Sequence, residues 1–73
     1  MKFILGGTYA EARYFKEKYQ SAKDAVILHD HINLIGIHDG QLLLCGTYYN
    51  RANIEDILKE AKLHNMEIVK LYG

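Results

Sequence analysis

The residues of this chain best placed to do chemistry fall in two short stretches that echo each other, Gly6-Gly7-Thr8-Tyr9 and Gly46-Thr47-Tyr48-Tyr49-Asn50-Arg51. Glycines let a ligand approach backbone N–H groups, and a helix starting just beyond them adds partial positive charge. A phosphate or carboxylate is the natural guest of such loops. Tyrosine rings can stack on a base, and Arg13 or Arg51 can pair with a phosphate through charge-assisted bonds. The candidate ligand-binding set is therefore Gly6, Gly7, Thr8, Tyr9 and Arg13 with Gly46, Thr47, Tyr48, Tyr49, Asn50 and Arg51. The plain alternative is structural, because Gly-Thr also turns a chain and caps a helix.

Other chemistry is thinly supplied. Gly6-Gly7 lacks the third glycine of a dinucleotide fingerprint, and no Gly-Lys-Ser/Thr phosphate loop occurs. His29-Asp30-His31 is the only clustered ligand-type triplet; two imidazoles two residues apart on a strand share a face. A third ligand is not evident, so no metal is assigned and a solvated loop is the expectation. The single Cys45 excludes an internal disulfide or multi-cysteine zinc site, and in an apolar strand it reads as a buried, inert thiol. With no nucleophile–base pair, a non-enzymatic protein without a cofactor is expected.

Formal net charge is zero over 73 residues, so no global field draws the chain to nucleic acid. Lys2, Arg13, Lys16, Lys18 and Lys23 outweigh Glu11 and Glu17 in the first third; Asp24, Asp30 and Asp39 hold the middle without Lys or Arg. Met1 to Leu5 is too short for a signal-peptide core, and no run reaches membrane-spanning length. A cytoplasmic setting, with no membrane partner, is the expectation.

The elements that must position the two loops follow from hydrophobic pattern. Lys2 to Leu5 reads as a first buried strand. Thr8 is an N-cap and Glu11 completes a capping box for a helix to about Tyr19, its core stripe Ala12, Phe15 and Tyr19. Ala25 to Leu28 is a second strand, Leu42 to Cys45 a third and Met66 to Tyr72 a fourth, at a sheet edge because of Glu67 and Lys70. Asn53 caps a last helix whose inward face is Ile54, Ile57, Leu58 and Ala61, with Asn65 at a left-handed stop.

Residues 32–40 admit two readings. In one, Asp30 caps a short helix with Ile32 and Ile35 inward, ended by Gly36. In the other, residues 33–37 pair with residues 41–45 as a hairpin through Asp39-Gly40. The helix is preferred because it makes the third strand parallel to the first two. The predicted fold is then a single α/β domain over residues 1–73. It is a minimal doubly wound, Rossmann-like three-layer fold, with a mostly parallel four-stranded sheet in order 2-1-3-4. Its crevice lies between strands 1 and 3, the two that end in Gly-Thr-Tyr. So small a sheet with two open edges also predicts a homo-oligomer; sedimentation that finds only monomer overturns that expectation.

Two family resemblances accompany these residues. The first loop resembles that of cytidylyltransferase-like nucleotidyltransferases, whose first strand ends in Gly-Thr-Phe. Ala10-Glu11-Ala12-Arg13 replaces their paired-histidine motif, so that activity is rejected. Across nearly the whole chain, Gly6-Gly7-Thr8-Tyr9, the His-Asp segment and Leu42-Leu43-Leu44-Cys45-Gly46-Thr47-Tyr48-Tyr49 with Arg51 resemble small uncharacterised Rossmann-like proteins of bacteriophages and prophages. That family has no established activity to carry over. The resemblance implies a viral protein in a bacterial cytoplasm and a counter-defence role, including sequestration of a nucleotide signal. Two functions follow as expectations: a binding module for a small phosphorylated or nucleotide-like ligand, or a protein-interaction module that binds and inhibits a host factor.

Overall fold

Strand β1 (Lys2–Leu5) has a partner on each side, which places the first Gly-Thr-Tyr loop at the middle of the sheet. The computed structural model describes residues 1–29, 34 and 36–71. After β1 come α1 (Tyr9–Lys18), a 3₁₀ turn (Gln20–Ala22), β2 (Val26–Ile27) and β3 (Gln41–Leu44). A second 3₁₀ turn (Tyr48–Asn50), α2 (Ile54–Leu63) and β4 (Glu67–Lys70) complete the order. The four strands run parallel in the order β2-β1-β3-β4. Phe3 lies opposite Val26 on one side and Leu42 on the other, and Leu42 opposite Ile68. This is the α/β, Rossmann-like arrangement predicted from the strand–loop–helix repeats.

The contiguous apolar runs divide between two half-cores because side chains alternate along a strand. Phe3, Leu5, Leu42 and Leu44 point to one side, where Ile57 and Ala61 of α2 join Leu28, Leu34 and Met66. Ile4, Leu43 and Cys45 point to the other, against Ala22 and Ala25 with Phe15 and Tyr19 of the α1 segment. Each fully buried Leu or Ile contributes about 1.5–3 kcal/mol. Both predicted helix stripes are therefore the ones that pack: Ala12, Phe15 and Tyr19 on one face, Ile54, Ile57, Leu58 and Ala61 on the other.

The hairpin through Asp39-Gly40 does not form. Both edges of β3 are taken by parallel partners, β1 and β4. Asp39 instead adopts φ +59° and donates its N–H to the His64 carbonyl at 3.1 Å, turning the chain into β3. The expected short helix capped by Asp30, with Ile32 and Ile35 inward, falls largely on residues 30–33 and 35, outside the described residues. Strands β2 and β4 are shorter than the patterns Ala25–Leu28 and Met66–Tyr72 indicate, and Tyr72 is likewise outside the described residues. Asn65 has the left-handed φ of +57° expected after α2. Among the described residues, no helix is long and apolar enough to cross a membrane.

Candidate functional site

Parallel pairing of β1 with β3, Leu5 opposite Leu44, brings the two Gly-Thr-Tyr loops side by side at the carboxyl end of the sheet. The space between them holds the Glu11 carboxylate. Half of the expected capping box forms: Thr8 Oγ1 accepts the Glu11 N–H at 3.2 Å. The Glu11 side chain does not return to Thr8. Its Oε1 accepts the Gly7 N–H at 2.9 Å and, across the crevice, the N–H of Thr47. The Thr47 hydroxyl donates to the same carboxylate, 3.1 Å from each oxygen. The anion that these loops attract is one the chain supplies itself.

That contact explains why glycines stand where they do. A Cβ on Gly7 would collide with Thr47, and one on Gly46, at φ +57°, would collide with the Glu11 carboxylate. The Gly7 N–H, with the Thr47 N–H and hydroxyl, holds the Glu11 carboxyl below its ordinary value of 4.5, outweighing the opposing effect of burial. The echo between the loops is also unequal. Thr8 caps α1 directly, whereas Thr47 makes no cap bond and a 3₁₀ turn intervenes before α2. Asn50 closes that turn, its N–H donating to Thr47 O at 2.9 Å.

Arg51 is engaged in the same way. Its Nη1 donates to Gly6 O and its Nη2 to His29 O, each at 3.0 Å, and its Nε donates to Asn53 Oδ1 at 3.3 Å. Asn53 Nδ2 also donates to His29 O, at 3.4 Å. The side chain that was expected to cap α2 makes no cap bond there, because it is part of this knot. The guanidinium thus ties the ends of β1 and β2 to the segment after β3, with Nη1 and Nη2 on main-chain carbonyls and Nε on the Asn53 side chain. Tyr48 is half-buried against the α2-side core, and Tyr49 stands exposed beside it, ring edge to face at 5.5 Å.

The candidate residues therefore separate. Gly6, Gly7, Thr8, Gly46, Thr47 and Arg51 meet in a junction tied together by Glu11 and by Arg51 itself, flanked by Tyr48, Tyr49 and Asn50. Tyr9 and Arg13 lead away from it into a cleft of about 410 Å³ between α1 and β2, lined also by Lys16, Glu17, Lys23 and Ile27. Tyr9 is 54 % exposed and stacks on His29, rings 5.8 Å apart and 8° from parallel. Arg13 lies 3.6 Å from Glu17, an exposed pair that contributes little to stability. Neither Lys16 nor Lys23 meets an acid within 4 Å among the described residues. Lys16 was legible as the third member of the stripe Tyr9, Arg13, Lys16 at helical spacing; Lys23 joins only through the fold.

Cys45 is buried at the end of β3, its Sγ 3.5 Å from Leu5 O. Burial, and then the Glu11 charge, push its thiol up to about 11, so it is not a thiolate at neutral pH. Asp30 and His31 lie outside the described residues. Among the described residues, no three His, Cys, Asp or Glu side chains are grouped to hold a metal. No family model, curated protein or solved structure compared with the chain matches it.

Proposed function

We propose that this protein is a binding module without catalytic chemistry of its own, taking a small phosphorylated or nucleotide-like ligand in the cleft between α1 and β2. The observation that carries this reading is the lining of that cleft: Arg13, Lys16 and Lys23 converge with Glu17 as the one acid among the described residues, beside the exposed Tyr9 ring. Its size falls in the range of small-ligand pockets, about 300–1,000 Å³. The neighbouring loop junction uses its Gly7 and Thr47 donors on Glu11 and the Arg51 guanidinium on carbonyls, which leaves ligand binding to these side chains. Taken with the resemblance to phage proteins, such a module would act by sequestering a nucleotide signal.

A thermal-shift screen against nucleotides and sugar phosphates tests the reading. A ligand at 100 times its Kd stabilises by about 2.7 kcal/mol. Arg13→Ala combined with Lys16→Ala is expected to weaken that ligand roughly ten- to a hundredfold per charge-assisted bond lost. Thr47→Val is expected to leave the affinity unchanged.

A second reading, capture and inhibition of a host protein, is favoured by Tyr14. It is 59 % exposed on the outer face of α1, with Lys18 Nζ 5.7 Å from its ring centroid. Tyr14→Ala separates the two, since it abolishes partner capture in this reading and spares ligand binding in the first. A folded Arg13→Ala, Lys16→Ala protein with unchanged ligand response overturns the cleft.

A further inference from the structure

We infer that the ligand of the α1–β2 cleft is a phosphomonoester joined to a flat ring through a sugar-sized linker, a nucleoside monophosphate in chemical class. This deepens the proposed binding function and rests on it. Among the described residues, three cations against one carboxylate leave the lining with a surplus of two positive charges. A phosphomonoester carries about −1.5 to −2 at neutral pH and matches that surplus. A phosphodiester, with a single charge, leaves one cation unpaired.

The cations are also spaced for a ligand with two ends. Tyr9, Arg13 and Lys16 lie on one stripe of α1, and Tyr9 is separated from Lys16 by roughly 10 Å along the helix axis. Lys23, beyond the carboxyl end of α1, closes the cleft from the other side with Ile27 of β2. A phosphate held by Lys16 and Lys23 therefore lies up to roughly 10 Å from Tyr9 along the helix, a span that a phosphate, a sugar and a ring fill together, with Arg13 between them. Tyr9 offers an exposed aromatic surface already stacked on His29, so a ligand ring adds a layer to an existing stack. Base–aromatic stacking is tolerant of base identity, so class, and not one base, is what this surface reads.

Isothermal titration with AMP, cyclic AMP, adenosine, ribose 5-phosphate and inorganic phosphate tests the inference. AMP is expected to bind about tenfold or more tightly than ribose 5-phosphate, the difference stacking supplies, and more tightly than cyclic AMP or adenosine. Tyr9→Leu is expected to bring AMP down to the level of ribose 5-phosphate while leaving the latter unchanged. Tyr9→Phe is expected to retain the difference.

Equal affinity for AMP and ribose 5-phosphate in the unaltered protein overturns the ring assignment and leaves the phosphate site standing. Cyclic AMP binding as tightly as AMP overturns the monoester assignment. If no phosphate-bearing probe binds, the cleft reading falls and this inference falls with it. The comparison among probes needs no variant, so a Tyr9→Leu chain that fails to fold does not remove the test.

Discussion

A Glu11→Ala protein is expected to be less stable than the parent by about 1.5–3 kcal/mol at neutral pH, the range for hydrogen bonds to a charged group. The lower half of that range is the better expectation for the Thr47 side of the junction, which is open to water. For a domain of this size each kcal/mol moves the midpoint of thermal unfolding by about 4–8 °C. Native domains hold only about 5–15 kcal/mol in total, so the loss is a large share of it. The physical reason is that Gly7 and Thr47 N–H groups, on loops from different strands, share one carboxylate. Glu11→Gln keeps an acceptor and loses the charge, so it is expected to fall between the two.

The pH dependence has a definite sign. The Glu11 carboxyl is held below its ordinary value of 4.5 in the folded chain. Its contribution is therefore complete above that unfolded value and is lost as pH falls through the folded one. The stability gap between parent and Glu11→Gln is expected to be widest at neutral pH and to close in acid below about 4.5. Urea titrations at several pH values measure it. Equal stability of parent and Glu11→Ala at pH 7 would show that the shared carboxylate does not hold the loops together.

Arg51→Ala carries the second large effect, and it too is expected to be one of stability. Removing the guanidinium strips donors from Gly6 O and His29 O, and Gly6 is buried. Leaving a buried acceptor without a partner costs about 1–3 kcal/mol. Arg51→Lys is expected to recover little, because one ammonium on a flexible stem does not reproduce a planar fork reaching two carbonyls. Chemical denaturation of the three proteins measures this directly. A fully stable Arg51→Ala chain that had lost ligand binding would reverse the assignment, returning Arg51 to the ligand.

Both predictions concern residues whose types were conspicuous in the sequence and whose partners were not. Gly-Thr-Tyr twice, each time after an apolar strand, marked the ends of β1 and β3, and two glycines in the first loop and one in the second marked where backbones come close. The same letters describe a loop open to a phosphate and a loop closed on a carboxylate. Glu11 at the third helical position pointed to a capping box, which is a local event, and only its backbone half forms, the Glu11 N–H donating to Thr8 Oγ1. Thr47 lies thirty-six residues further along, and only the β1–β3 pairing brings it within reach.

What the sequence by itself determined is the arrangement of elements. Apolar runs flanked by glycines, two helical stripes and the rule for parallel crossovers led to the order 2-1-3-4, because burial on both faces is readable from composition and period. Asn65 at its left-handed stop and the edge charges Glu67 and Lys70 belong to the same kind of local information.

The tertiary structure alone decided which polar groups meet. It gave the Gly7 and Thr47 donors to Glu11, turned Arg51 and Asn53 toward Gly6 and His29, and brought Lys23 across from Arg13 and Lys16. Hydrophobic periodicity repeats and can be read along the chain. A hydrogen bond is satisfied once, by whichever donor and acceptor the packed backbone places about 3 Å apart, and that choice has no periodic signature.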